Sequence, residues 1–268
     1  MLHGLEPNMN NQSKSRNSSS LVLDPSSLSV PPSSLRILLW DLDGTLVRGK
    51  RYGVFKDYTV PMLKAVFGTA GCLPEMIVSG MTDLQIVEEA LRSEGITREH
   101  ISSRMNELRH YYIEEMKRAT GNAQHLLEAM PGAREVLQRI NEHPRYLSAL
   151  LTGNIEAAAQ LKVEITGLAQ FFNLPGAFGD DSFDRRDLPA LAARRINEHL
   201  GASLQPHQFI VIGDTPNDIA CARHFGARVL AVATGRVHSA EDLRALIPDA
   251  LLPDLLDTEL VMRTLDEL

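Results

Sequence analysis

The run ILLWDLDGTLVRG, residues 37–49, carries Asp41 and Asp43 with one residue between them, directly after the apolar stretch Ile37–Trp40. Along an extended backbone alternate side chains point the same way, so two carboxylates at this spacing can face one small ligand. Such a pair divides two tasks: one oxygen can bind metal and attack, while the neighbouring carboxyl carries a proton to a leaving group and later takes one from water. Similar polar groups follow apolar runs elsewhere: Thr152 in Leu151-Thr152-Gly153-Asn154, and Asp214 and Asp218 in Gly213-Asp214-Thr215-Pro216-Asn217-Asp218. If these segments meet, four carboxylates and a hydroxyl share one edge. Crowded carboxylates repel, and a hard divalent cation such as Mg²⁺, with its preference for oxygen, relieves the repulsion.

Other readings of these residues compete. Asp-x-Asp-Gly also opens a calcium loop, but an EF-hand starting at Asp41 needs a bidentate Glu at its twelfth position, where Tyr52 stands, and has no apolar strand leading into it. GTLVRGK, residues 44–50, has P-loop spacing, yet Arg51 replaces the Ser or Thr that holds Mg²⁺ and RYGVF does not begin like a helix. Thr152 alone reads as a strand-end residue, and Asp214 as a cap for a helix opening at Pro216. Their joint occurrence, each at the end of an apolar run, favours one shared site.

Those residues need elements to hold them. Arg36–Trp40, Tyr146–Leu151, Phe209–Ile212 and Val229–Ala233 are continuous apolar runs, as expected of strands buried on both faces. Between them Gly132–Asn141, Glu156–Glu164, Asp187–Leu200 and Asn217–Phe225 show helical periodicity, with Gly201 and Gly226 just past two helix ends. Alternation of this kind predicts an α/β fold with a Rossmann-like parallel sheet, whose ligands bind beyond the carboxyl ends of the strands. From Gly53 to Met130 the pattern is helix after helix: Met62–Val66, Met81–Glu94, Glu99–Ala119 and His125–Glu128, with Thr82 and Asp83 as caps. The expected organisation is a core of residues 35–52 and 131–268 with an all-helical insert over 53–130. Gly49 and Gly53 are candidate hinges into the insert.

Composition narrows the function classes. The chain has 268 residues, 44% hydrophobic, enough for one substantial core with a smaller insert. A net charge of −7, from 27 Lys+Arg and 34 Asp+Glu, argues against nucleic acid as a partner. Cys72 and Cys221 lack Cys-x-x-Cys spacing, which disfavours a disulfide framework or structural zinc and predicts two reduced, half-buried thiols. The nine histidines show no pair at metal spacing. No apolar stretch reaches the roughly 18 residues of a membrane span, so no membrane association is expected. Residues 1–34, rich in Ser, Asn and Pro, read as a disordered leader; a secretory signal is disfavoured, the Ser content leaves an organellar transit peptide open, and the cytoplasm is the default location.

The chain resembles the haloacid dehalogenase (HAD) superfamily. "DLDGTL" is similar to its first signature, Thr152 in "LLTGN" to its second, and Asp214 and Asp218 in "GDTPND" to its fourth. A helical insert between the first two signatures resembles the capped branch that includes phosphoglycolate phosphatases and β-phosphoglucomutases. The resemblance implies phosphoryl transfer through an aspartyl-phosphate, with Asp41 as nucleophile, Asp43 as general acid and base, and Thr152 donating to the phosphoryl. Mg²⁺ would be held by Asp41, the main-chain carbonyl of Asp43 and Asp214, with Asp218 close by, directly or through water. Gly44, Gly153 and Asn154 would lie on the substrate side.

The third signature departs from the family pattern. A lysine, often followed by proline, is usual; this chain reads FGDDSFDRRDLPALAARR. Arg185 is the first candidate for the cation bridging nucleophile and phosphate, Arg186 the second, because a guanidinium is always charged and matches phosphate oxygens. Alternatively both arginines pair with Asp181, Asp184 and Asp187 at a solvated helix start. Lys50 and Arg51 lie just beyond the first signature, and the helical insert offers Arg109, His110, Tyr111, Tyr112 and Lys117, either facing substrate on closure or forming a solvated face. Asp43 favours phosphatase or phosphomutase chemistry, since dehalogenases and phosphonatases of the superfamily lack that aspartate. The reading is a phosphatase of a small phosphorylated metabolite, working as monomer or homodimer. The alternatives are a phosphomutase of the β-phosphoglucomutase type and a non-catalytic metal-binding module.

Overall fold

A computed structural model describes residues 30–51, 53–121 and 126–268. The apolar run Arg36–Trp40 forms β1, in which Ile37, Leu38, Leu39 and Trp40 are fully buried. It lies inside a parallel five-stranded sheet with β4 (Tyr146–Leu150) on one side and β5 (Phe209–Gly213) on the other. Beyond β5 come β6 (Arg228–Val232) and β7 (Ala250–Leu252), giving the order β4-β1-β5-β6-β7.

Because strand side chains alternate, one sheet feeds two cores. Leu38, Trp40, Ile210, Ile212 and Leu230 pack on one face with α5 (Ala133–Asn141), α6 (Glu156–Ile165) and α10 (Thr258–Glu267). Ile37, Leu39, Phe209, Val211 and Val229 pack on the other with α7 (Leu188–Leu200), α8 (Pro216–Phe225) and α9 (Ala240–Ala245). Gly201 and Gly226 close α7 and α8 in the left-handed conformation, at φ 58° and 85°. The α/β fold read from the strand runs is the one observed; β7, α9 and α10 are additional to those runs.

The chain leaves β1 through the short strand β2 (Val47–Gly49), which pairs antiparallel with β3 (Leu127–Ala129). Between these strands the described residues form four α-helices: α1 (Val54–Phe67), α2 (Asp83–Leu91), α3 (Arg98–Ser103) and α4 (Met105–Thr120). Gly53 enters α1 at φ 82°, whereas Gly49 sits within β2 and is not left-handed. The α1 helix runs through Pro61 and begins well before Met62. Val54, Tyr58, Met62 and Val66 repeat every four residues on a buried face, which offsets the hydrogen bond lost at proline.

Two expectations for the helical segment are corrected. The single helix over Glu99–Ala119 is two, parting at Arg104. The Ser103 hydroxyl donates to the carbonyl of His100 at 2.7 Å, a local bond of the kind that competes with helix continuation. Of the helix expected at His125–Glu128, Leu127 and Glu128 belong to β3, while His125 lies outside the described residues.

Of the expected leader, residues 1–29 lie outside the described residues. Pro32–Ser34 form a 3-10 turn tied to the sheet by the Gln208 amide, which donates to Pro32 O at 2.9 Å and Leu35 O at 3.2 Å. Cys72 is exposed and Cys221 buried, both free thiols, so neither is half-buried as expected. No helix among the described residues is long and apolar enough to cross a membrane.

Candidate active site

At the carboxyl end of β1 the Asp41 amide donates to Ile212 O at 2.8 Å, so the strand's last ladder bond fixes the first carboxylate. Asp41 is 4% exposed, while the Asp43 side chain is about half exposed. Gly44 turns the chain at φ 96°. A Cβ there would come within 2.5 Å of Asp214 Oδ2, and one at Gly235 within 2.1 Å, so two glycines let backbone close around the Asp214 carboxylate. Thr45 donates to Asp214 Oδ1 at 2.9 Å, and Thr234 to Gly44 O at 2.6 Å.

Asp41, Asp214 and Asp218 each bring an oxygen within 4.8 Å of the others, and all three are buried. Burial, and then the nearby Asp218 carboxylate, push Asp41 up to about 7 against the opposing pull of Arg185. Asp214 is held well above the usual carboxylate range by burial, then by Asp41 and Asp218. Oxygen ligands of like charge, taken out of water and pressed together, are the donor set that a hard divalent cation neutralises, so these residues fit Mg²⁺.

Asp218 has further partners. Its Oδ2 accepts from the Thr215 amide at 3.0 Å and the Thr215 hydroxyl at 2.6 Å, completing a capping box for α8, and its Oδ1 accepts from Arg185. The cap of this helix is therefore Thr215 with Asp218, not Asp214, which leaves Asp214 for the cluster.

Arg185 sits in the 3-10 turn Arg185–Asp187 that leads into α7. Its side chain is buried. Nη2 donates to Asp41 Oδ1 at 2.7 Å and to Asp218, and Nη1 donates to Gly80 O at 3.3 Å. Arg186, the second candidate, does not join it. Its guanidinium is exposed and held by Asp184 at 2.6–3.1 Å, and it does not line the cavity. Asp184, one residue before the pair, both caps the turn and captures Arg186, and this turns the two arginines apart.

Thr152 is fully buried at the end of β4. Its oxygen accepts from Asn154 N at 3.3 Å and Asn154 Nδ2 at 2.8 Å, which leaves its own O–H proton for an incoming oxygen. The Gly153 carbonyl accepts from the Asp83 amide at 2.6 Å, and a Cβ at Gly153 would lie 2.0 Å from Met81 O. The start of α2 is thus seated directly on this loop. Asp83 Oδ2 accepts from Ile155 N at 2.8 Å, while burial pushes the Asp83 carboxyl up to about 7.

Lys162 on α6 was not singled out by motif. It is 2% exposed, and its ammonium donates to both oxygens of Asp43, at 2.6 and 2.8 Å, and to Asn154 Oδ1 at 2.6 Å. Burial pulls its pKa down, but Asp43, Tyr58 and Asp83 together raise it above the ordinary lysine value, so it stays an ammonium. The available signal was a lysine on the apolar face of α6, level with the buried Ala158, Ala159 and Val163.

Asp41, Asp43, Thr152, Lys162, Arg185 and Asp214 line the floor of a cavity of about 530 Å³. Val54, Phe55, Met81 and Ile86 of the helical segment supply apolar walls. Arg51 also lines it, paired with Asp57, whereas Lys50, Arg109, His110, Tyr111, Tyr112 and Lys117 do not. Arg109 instead pairs with Asp180 at 2.8 Å, and Tyr112 is buried against Tyr58.

Comparison with known proteins agrees with the geometry. No curated protein matches the chain in sequence. Among solved structures, a hydrolase from Pseudomonas syringae is 23% identical, with a TM-score of 0.60, over 87% of this chain and 99% of that one. A predicted phosphoglycolate phosphatase from Haemophilus somnus 129pt is 20% identical, with a TM-score of 0.56, over 85% and 98%. A β-phosphoglucomutase from Clostridium difficile is 13% identical, with a TM-score of 0.59, over 87% and 98%. At these identities the likeness is one of fold. The family model for the haloacid dehalogenase-like hydrolases matches residues 38–223, from within β1 to within α8 and spanning every residue of the cluster. The chain belongs to the haloacid dehalogenase-like hydrolase family.

Proposed function

We propose that the protein is a Mg²⁺-dependent phosphatase that hydrolyses a small phosphorylated metabolite by way of phospho-Asp41. The observation that carries this reading is the buried meeting of Asp41, Asp214 and Arg185 at one cavity floor, with Asp43 two residues beyond Asp41 and turned toward solvent.

The residues divide the work as follows. An Asp41 oxygen attacks phosphorus while the bond from phosphorus to the leaving oxygen breaks, and Asp43 supplies the proton that oxygen needs. In the second half Asp43 takes a proton from water, whose oxygen bonds to phosphorus as the Asp41–phosphorus bond breaks. Thr152 donates to the transferring phosphoryl, and Arg185, anchored by Asp218, neutralises charge between nucleophile and phosphate. Gly44, Gly153 and Asn154 line the same cavity, which supports a place for them beside the substrate. Asp41, Asp214 and the main-chain carbonyl of Asp43 would hold Mg²⁺, with Asp218 acting through its contacts or through water. When bound, the ion supplies charge neutralisation on the phosphoryl oxygens, the main requirement of such a transfer.

A cavity of about 530 Å³ suits a ligand of metabolite size. A net charge of −7 disfavours a nucleic-acid substrate. The test is a phosphate-release screen over sugar phosphates, phosphoglycolate, nucleotides and pyrophosphate, run with Mg²⁺ and with chelator. Release that needs the ion and is lost in Asp41→Asn supports the reading. Turnover only with a bisphosphate primer would redirect it to a phosphomutase, and no release from any ester would leave a metal-binding module.

A further inference from the structure

Arg185 is the cation that touches Asp41, and phosphoryl binding leaves a second buried cation without a task. Lys162 reaches the cavity floor from beneath, through the apolar face of α6. An ammonium has three N–H donors, and here three acceptor atoms receive them: Asp43 Oδ1, Asp43 Oδ2 and Asn154 Oδ1. Asn154 turns its Nδ2 the other way, donating to Asp43 Oδ2 at 2.7 Å and to Thr152 Oγ1 at 2.8 Å. Its amide orientation is set by this arrangement, with oxygen toward the ammonium and nitrogen toward the carboxylate.

Packing alone does not account for a lysine here. A buried charge is costly unless fully paired, and an apolar side chain would cover the same surface beside Ala158 and Val163. The exposures are unequal as well: Lys162 is 2% exposed and the Asp43 side chain 48%. The lysine is therefore a fixed support, and the aspartate is the member that faces the cavity.

Resting on the phosphatase reading, we propose that Lys162 is a positioning residue for Asp43. With Asn154 it grips both carboxylate oxygens, so that Asp43 has one orientation toward the oxygen that leaves phosphorus and, afterwards, toward the attacking water. The chain Lys162–Asn154–Thr152 ties that orientation to the hydroxyl that meets the phosphoryl.

The test compares wild type, Lys162→Met and Lys162→Arg on two substrates. An alkyl phosphate such as glycerol phosphate needs its leaving oxygen protonated, whereas p-nitrophenyl phosphate scarcely does. Loss of the grip is expected to cut alkyl phosphate turnover by roughly 100-fold, the low end of acid–base contributions. The first turnover of p-nitrophenyl phosphate stays near wild type, so both variants release p-nitrophenol in a burst and accumulate phosphoprotein. Combining Lys162→Met with Asp43→Asn should add little to Asp43→Asn alone. The arginine variant keeps the buried charge if the methionine variant does not fold. Equal losses on both substrates, no burst, and additivity with Asp43→Asn would overturn the role of Lys162 and leave the phosphatase reading standing. Wild-type protein that forms no phosphoprotein and releases no phosphate overturns both.

Discussion

The Arg185 guanidinium lies 2.7 Å from Asp41 Oδ1, joining residues 144 apart in sequence. A buried carboxylate and a buried guanidinium hold each other in place, and Asp218 grips the same nitrogen from the other side. Replacing Arg185 by alanine leaves two buried carboxylates facing each other. Turnover is expected to fall by about 10²–10³-fold, as for loss of one preorganised donor to the transferring group. Metal-free protein should lose about 3–5 kcal/mol of stability, measured by urea unfolding in chelator.

Arg186 provides the matched control. It is exposed, paired with Asp184 and away from the cavity, so Arg186→Ala should leave kcat/KM within about twofold of wild type. A large loss in Arg186→Ala with little in Arg185→Ala would reverse the assignment of the third signature.

Asp83 makes stability depend on pH. Burial raises its carboxyl from the ordinary 3.8 to about 7. Between these values the unfolded chain releases the proton while the folded chain keeps it. The folded state therefore binds more protons, and stability falls as pH rises through that window. The full effect is on the order of 4 kcal/mol. Asp83→Asn can still accept from Ile155 N but does not titrate. The variant should gain on wild type as pH is raised from 4 to 7, and the difference should flatten above. Parallel unfolding curves across this range would contradict the assignment.

Gly153 lets the start of α2 rest on the Thr152 loop. A Cβ there would lie 2.0 Å from Met81 O, so Gly153→Ala must push the two apart. Faster hydrogen exchange at the Asp83 amide, which donates to Gly153 O, is the expected sign, together with lower activity from an opened cavity.

Much of this site is legible in the chain because strands buried on both faces read as unbroken apolar runs, and their last residues point to one edge. Asp41, Asp214 and Thr152 follow from that rule, whereas Arg185 follows only from the resemblance to the family's third signature; the structure brings all four to one cavity. Lys162 follows from neither, because a single lysine in a helix ordinarily lies along the surface with its charge in water. Only the fold shows that α6 turns it inward beneath Asp43. The reach of Asp83 to Ile155 is likewise tertiary: as a helix-start residue it was visible, but its partner lies 72 positions away. The strands β2 and β3 are three residues each, too short for periodicity to register. The division between Arg185 and Arg186 was open in the sequence, since both adjoin aspartates, and the Asp184 cap geometry separates them.

The most direct measurement is chemical quenching of the protein during turnover of a phosphate ester with Mg²⁺, followed by peptide mapping by mass spectrometry. One phosphoryl group on the peptide containing Asp41, absent with chelator and in Asp41→Asn, is the expected result. Sustained hydrolysis by Asp41→Asn at the wild-type rate, or a phosphoryl carried on another residue, would contradict it.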